Sequence, residues 1–370
     1  MRRTLSLLSM LVLSATLAGS AMAASSGGLG STGHPATRAA NAYKLKGLVA
    51  DQTGQAKSTD PNLVNAWGLA AGPTTPWWVN AADNDVSTLY DGTGSIIPLV
   101  VDVAGGPTGL VFNGGSNFVV TDGSASGPSL FLFATEGGTI RGWNPNVPAP
   151  SPSTQSFVVA DRSGVDASYK GLAIASTADG DFLYAADFHN ARVDMFDGDF
   201  NLVSTSSTFV DPGLPAGYGP FGIQTIGDTV FVTYAKQDAD AGDEVTGGGR
   251  GFVDAFDTAG AFIGRVATRD RLNAPWGLAV APANFGRFSG ALLVGNFGDG
   301  QIHAFRATAN GSYRLVGVLR NRHGKILAID GLWAIAFGND DAAGPSNALF
   351  FTAGPDDEAH GLFGRIRAAA

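Results

Sequence analysis

The chain contains no cysteine, which removes disulfides, thiolate metal sites and cysteine nucleophiles together. Glutamate is nearly absent as well: Glu136, Glu244 and Glu358 are the only ones in 370 residues. Lysine is scarce, at Lys44, Lys46, Lys57, Lys170, Lys236 and Lys325. A formal charge of −9 with so few amines lacks the basic footprint that nucleic acid or an anionic membrane requires. Beyond the first residues no apolar run is long enough to span a bilayer. The five histidines, at 34, 189, 303, 323 and 360, are scattered and form no His-Glu-x-x-His pattern. A Gly-x-Ser-x-Gly elbow, a phosphate-binding loop and a dinucleotide fingerprint are missing too.

Glycine is what the chain has in abundance. Gly 52 and Pro 18, with 44% hydrophobic and 15% charged residues, describe many short strands joined by tight turns. Nearly all the negative charge is aspartate, whose short carboxylate bonds the backbone two residues on in turns, so most of these carboxylates are expected to be structural. Residues 1–23 read as a secretory signal: Arg2 and Arg3, an apolar stretch from Leu5 to Leu17, and small residues at Ala21 and Ala23 before a cleavage point. Export to a periplasm or outside the cell is therefore expected. Residues 24–42, rich in Ser, Gly, Ala and Thr and without periodicity, are expected to be a disordered leader. Residues 43–370 carry strand-like runs throughout.

Those runs repeat. A short motif ending in Gly-Leu or its equivalent appears at Trp67-Gly68-Leu69, Thr108-Gly109-Leu110, Lys170-Gly171-Leu172, Phe221-Gly222-Ile223 and Trp276-Gly277-Leu278, and a sixth time within Asp330-Gly331-Leu332-Trp333-Ala334-Ile335. Each copy precedes an apolar strand, such as Leu183-Tyr184-Ala185-Ala186-Asp187, and then an alternating one, such as Phe252-Val253-Asp254-Ala255-Phe256-Asp257. Several short strands per unit, over units of 41 to 62 residues, predict an all-β, six-bladed β-propeller of four-stranded antiparallel blades. The glycine fits inner strands crowded around an axis, where a missing Cβ lets backbones approach. The last unit lacks an outer strand that Tyr43 to Val49 can supply, closing the ring. In the second unit the order of the outer strands is open.

Phrases such as Ala185-Ala186-Asp187-Phe188-His189-Asn190, Leu272-Asn273-Ala274-Pro275-Trp276-Gly277-Leu278 and Gly295-Asn296-Phe297-Gly298-Asp299-Gly300 resemble a family of uncharacterised secreted bacterial propellers of the TolB-like, NHL-repeat-like group. The resemblance covers about residues 43–367. It implies the propeller fold and assigns no activity.

Alternate connections of an antiparallel blade fall on one face. The loops between second and third strands should therefore gather with the segments entering the inner strands. That face is expected to hold Asp83, Asn84, Asp85, Asp122, Lys170, Asp187, His189, Asn190, Lys236, Asn273, Asn296, Asp299, Asp330, Asp356, Asp357 and Glu358. The candidate ligand-binding residues are Asn84, Asp85, Lys170, Asp187, His189, Asn190, Asn273, Asn296, Asp299 and Asp356, and for each the plainer reading is a turn cap. Lys170 precedes a motif glycine, within reach of the axis, although a surface amine is the simpler expectation. His189 is placed to act as acid, base or ligand beside Asp187 and Asn190. The acidic loop with Asp238, Asp240, Asp243 and Glu244 suits calcium, which takes many oxygens in irregular geometry. Trp67, Trp276 and Trp333 are expected to pack between blades, and Trp143 to be freer. Three functions follow: a monomeric, non-enzymatic binder of a small molecule, glycan or protein on the central-channel face; a calcium-dependent hydrolase of the lactonase or esterase type; and a structural envelope or interaction protein. Against the hydrolase, the propeller lactonases use a first-blade glutamate on their calcium, and here no glutamate precedes Glu136.

Overall fold

The structure is a computed structural model that describes residues 40–204 and 207–369. The expected signal peptide, 1–23, and the leader up to residue 39 lie outside the described residues. Six antiparallel sheets of four or more strands follow one another around a ring. From the axis outward, blade 1 is Ala66–Ala70, Trp77–Ala81, Val86–Tyr90 and Ile96–Asp102. Blade 3 is Tyr169–Thr177, Gly180–Asp187, Arg192–Asp197 and Leu202–Ser204; blade 4 is Tyr218–Ile226, Thr229–Lys236, Gly251–Asp257 and Phe262–Thr268. Blade 5 is Pro275–Val280, Leu292–Asn296, Ile302–Ala307 and Tyr313–Val318. Blade 6 takes Leu332–Phe337, Leu349–Ala353 and Leu362–Ala368 from the end of the chain, and Tyr43–Ala50 as its outer strand. Tyr43–Ala50 runs antiparallel to the last strand with Leu45 opposite Ile366, so the strand missing from the last repeat is supplied by residues 43–50 and closes the ring. Asn41 and Ala42, the last residues of the expected leader, are hydrogen-bonded: the Asn41 amide donates to the Val318 carbonyl, and Ala369 donates to the Ala42 carbonyl.

The open question was blade 2. Its strands are Pro107–Phe112, Phe131–Thr135, Thr139–Trp143 and Phe157–Asp161, and a hairpin of Val119–Thr121 and Ser126–Pro128 is inserted between the first two. That insertion accounts for much of the extra length of the second repeat. It corrects one expectation: Asp122 lies on the connection from first to second strand, hence on the opposite face from the candidate site. There it accepts the Ser124 and Ala125 amides. Asn117, at the base of the insertion, bonds Asp181 near the start of the second strand of blade 3.

The second strands read as unbroken apolar runs because neighbouring blades cover both faces. Every residue of Trp77–Ala81 is buried, and Trp78 stacks on Phe131 of blade 2 at 4.3 Å. Trp143 is not free: it packs 4.6 Å from Trp78, and its indole donates to the Ser153 carbonyl. The expected use of aspartate is seen where third strands turn into fourth. Asp91, Asp197 and Asp257 each accept backbone amides two and four residues on.

All six inner strands carry a bulge at the repeat motif, seen as a register shift against the second strand. At these bulges a Cβ on Gly68 would lie 2.2 Å from the Thr108 carbonyl oxygen, and one on Gly222 2.1 Å from that of Trp276. Gly109, Gly171 and Gly277 press in the same way on the next blade's inner strand. The sixth position is Ala334, not Gly331. Thr352, whose hydroxyl accepts the Ala334 amide and donates to the Trp67 carbonyl, stitches blade 6 to blade 1 there.

Candidate functional site

The bulges decide what reaches the axis. The residues preceding the glycines, with Trp333 before Ala334, are turned inward together. Trp67 stacks on Trp333 at 3.7 Å, and Phe221 and Trp276 meet the same ring edge-on at 5.6 and 6.2 Å. Phe297, from the blade 5 loop, covers Trp333 at 4.1 Å. Thr108 turns sideways and donates to the Tyr169 carbonyl. Trp67, Phe221 and Trp333 are fully buried, so aromatic rings fill the axis, as expected for packing.

Blade 3 alone places a charge in this ring. Lys170 is 2% exposed, which overturns the simpler expectation of a surface amine. Its ammonium contacts the Glu136 carboxylate, lies 3.2 Å from Asp243 Oδ1, and stands 5.4 Å over the Trp67 ring. Its backbone carbonyl accepts the Trp276 indole N–H at 2.9 Å. Burial opposes the Lys170 charge, but Glu136, Asp243 and Glu244 outweigh it and raise the pKa, so the amine stays protonated.

The three glutamates of the chain converge on this amine. They come from the loops between second and third strands of blades 2, 4 and 6, every other blade of the ring. Glu358 Oε2 accepts the Asn65 amide at 2.6 Å; Asn65 also donates to Asp83 and accepts the Trp333 indole N–H at 3.0 Å. Glu358 ends a run of three left-handed residues, Asp356, Asp357 and Glu358, with φ of 60, 50 and 67°. Such a conformation costs about 1–2 kcal/mol per residue, and strain of this kind collects where a side chain must be held in place. Burial pushes the Glu244 carboxyl up to about 8; Lys170 pulls against this, and Glu358 and Asp243 add to it. Glu358 is raised as well, by burial first, with Glu136 and Asp83 adding and Asn65 and Lys170 opposing. The result is a cup at the axis. Its floor is tryptophan, its centre is one fixed ammonium, and its wall is carboxylate.

The other sequence candidates serve the turns. Asp85 accepts the Gly105 and Gly106 amides of the next connector, and Asn84 donates to the Pro61 carbonyl. Asp187 is fully buried, pairs with Arg192 and accepts the Ser168 amide and the Asn190 side chain; Asn190 also donates to the Val165 carbonyl. His189 is half-buried, and its carbonyl accepts the Gln237 amide. Asn273 accepts the Gly247 amide, and Asn296 bonds the Arg271 carbonyl and Asp299. Asp356 lines a separate cavity of about 430 Å³ with Asp51, Asp330 and His360. In the acidic loop, Asp238 accepts the Gly242 amide and Asp240 is exposed, whereas Asp243 and Glu244 reach the cup. Among the described residues no three of His, Asp and Glu are grouped as a metal ion requires.

Relatives of this chain are found in a giant virus. The uncharacterized protein R648 of Acanthamoeba polyphaga mimivirus is 36% identical over 341 residues, 89% of this chain and 81% of that protein. Uncharacterized protein L690 of the same virus is 33% identical, over 89% of this chain and 87% of the relative. The chain belongs to this family. These two relatives are viral, and their names assign no activity. No family model matches the chain. Among solved structures the fold is similar to streptogramin B lyase, with a TM-score of 0.50, 10% identity, and coverage of 88% of this chain and 98% of that one. It is also similar to the soluble aldose sugar dehydrogenase of Escherichia coli, with a TM-score of 0.51, 11% identity, and coverage of 88% and 100%. At such identities the likeness is one of propeller fold alone. No helix among the described residues is long and apolar enough to cross a membrane.

Proposed function

We propose that this protein is a non-enzymatic binding propeller whose ligand, a small polar molecule, enters from the face of the second-to-third strand loops and sits in the axial cup. One observation carries the reading: the chain's three glutamates and one of its six lysines are spent on a single spot at the axis, where half-exposed Glu244 and Glu358 stand over buried aromatic rings. Ionisable groups buried together at one spot, with carboxyl pKa values displaced upward, mark a candidate ligand site. The calcium-dependent hydrolase is the weaker reading, because the ammonium of Lys170 occupies the axial place and Asp238 and Asp240 stand outside the group formed by Asp243 and Glu244.

A thermal-shift panel of amines, polyols, amino sugars and organic acids tests the site. At least one class should raise the melting temperature by several degrees, and Glu244→Gln and Glu358→Gln should each abolish the rise. Shifts that survive both substitutions, or a silent panel, would remove the cup as the binding site. We further propose export through cleavage after Ala23, supported by Arg2, Arg3 and the apolar stretch that follows. The intact mass of protein recovered from the exported fraction should then correspond to a chain beginning at Ala24; a mass that includes Met1 to Ala23 would refute it.

A further inference from the structure

We infer that the occupant of the axial cup is a hydroxylated organic amine bound as its ammonium, of the amino-alcohol or amino-sugar class, rather than a neutral polyol or a bare metal ion. The inference rests on the reading of the cup as the ligand site and names the chemistry it selects.

Charge comes first. Lys170 is the one ammonium in the cup, and Glu136, Asp243, Glu244 and Glu358 all act on it. Asp83 stands behind Asn65 and adds to the negative potential at Glu358. The one positive charge of Lys170 is taken up by ion pairs with Glu136 and Asp243. The imbalance falls on Glu244 and Glu358, which have no cation of their own among the described residues and are held towards the neutral form until one arrives. A neutral polyol leaves the imbalance in place. A second ammonium removes it.

The floor already holds one ammonium. The Lys170 amine stands over the Trp67 ring at cation–π distance, so the protein shows with its own side chain what this surface accepts. The neighbouring Trp276 ring is partly exposed and offers a further face to a ligand cation.

The third observation points to a hydroxyl. Of the three indoles at the axis, Trp276 donates to the Lys170 carbonyl and Trp333 to Asn65 Oδ1. The Trp67 indole N–H is buried without an acceptor. An unmet buried donor is costly, and an indole nitrogen only donates, so the missing partner is an atom with a lone pair. A bare metal ion or an alkylammonium has none to give; a hydroxyl oxygen does. An ammonium for the glutamates and a hydroxyl for the indole are complementary to the cup when carried on one small molecule.

Binding should also move a proton. With its carboxyl pushed up to about 8, Glu244 is protonated near neutral pH. An incoming ammonium acts in the same sense as Lys170 and against Glu358 and Asp243, the charged groups facing Glu244, so it drives that proton off.

Titration calorimetry on the processed protein near neutral pH, with glucamine, sorbitol, hexylamine and calcium chloride, tests this directly. Glucamine should bind about tenfold or more tightly than sorbitol, which lacks the amine, or hexylamine, which lacks the hydroxyls. Its apparent enthalpy should differ between phosphate and MOPS, neither of which is a hydroxylated amine, in the direction of proton release. Glu244→Gln should abolish the buffer dependence and weaken binding about tenfold; Glu358→Gln, which keeps the titrating group, should weaken binding and retain the proton release. Sorbitol binding as tightly as glucamine, sensitive to Glu358→Gln, would overturn the amine and leave the cup as a site. Calcium binding alone would overturn the amine in favour of a metal. No binding by any of the four overturns the inference, and together with a silent thermal-shift panel it overturns the binding reading as well.

Discussion

Gly222→Ala should destabilise the fold by about 3 kcal/mol, the upper part of the range for overpacking a well-packed interior. The added Cβ would lie 2.1 Å from the Trp276 carbonyl oxygen, 2.8 Å from its carbon and 3.0 Å from Thr233 Oγ1. Two of these three atoms are backbone of the neighbouring blade, so no rotamer change relieves the clash. Either the inner strand of blade 4 flattens its bulge or blade 5 moves outward. Gly264→Ala is the control. It sits in an outer strand with nothing within 4 Å of the new carbon, and its stability should stay within about 0.5 kcal/mol of wild type. Urea unfolding of the two variants decides the matter. Equal midpoints would mean that the motif glycines are not there for crowding at the axis.

Lys170→Met should cost about 3 kcal/mol at alkaline pH, the lower end for breaking a buried pair, because Glu136 and Asp243 retain some access to water. Near pH 5, about where glutamate begins to protonate, the cost should be much smaller. The sign follows from the carboxyls. Glu244 and Glu358 have folded-state pKa values above the ordinary glutamate value, so folding takes up protons in the interval up to about 8. Stability from this source is present below the unfolded value and is lost as pH rises through the folded one. Lys170 opposes both shifts. Without it the window widens and the loss deepens. Denaturant midpoints across this pH range should therefore fall more steeply for Lys170→Met than for wild type, and less steeply for Glu244→Gln. Parallel slopes for all three would mean that Lys170 and Glu244 do not sense each other.

Much of the architecture was legible because the repeat is written in backbone chemistry. A glycine that must be missing its Cβ, an apolar strand covered on both faces and an Asp-initiated turn each leave a local signature, and these recur with the blades. Blade 2 was obscure because the Val119–Thr121 and Ser126–Pro128 hairpin adds strand-like residues of its own. The site was harder to read. Asp85, Asp187, Asn273, Asn296 and Asp299 share a face as alternation requires, but a carboxylate or amide that caps a turn has the same spelling as one that binds a ligand. Glu136, Glu358, Asn65 and Trp67 act together only after the ring brings residues from blades 1, 2 and 6 side by side. Their one advance signal was the rarity of glutamate in a chain that otherwise takes its negative charge from aspartate.

Pairing Leu45 with Ile366 also sets an order of events. A ribosome releases the first partner some hundreds of residues before the second, so Tyr43–Ala50 must wait, unpaired and half apolar, until nearly the whole chain has emerged. Closing so long a loop costs entropy that rises with the logarithm of its length, and pairings this distant in sequence slow folding. A nascent chain stalled before its last strand would hold five blades and an open gap, and would expose edges on both sides of it to any other strand nearby.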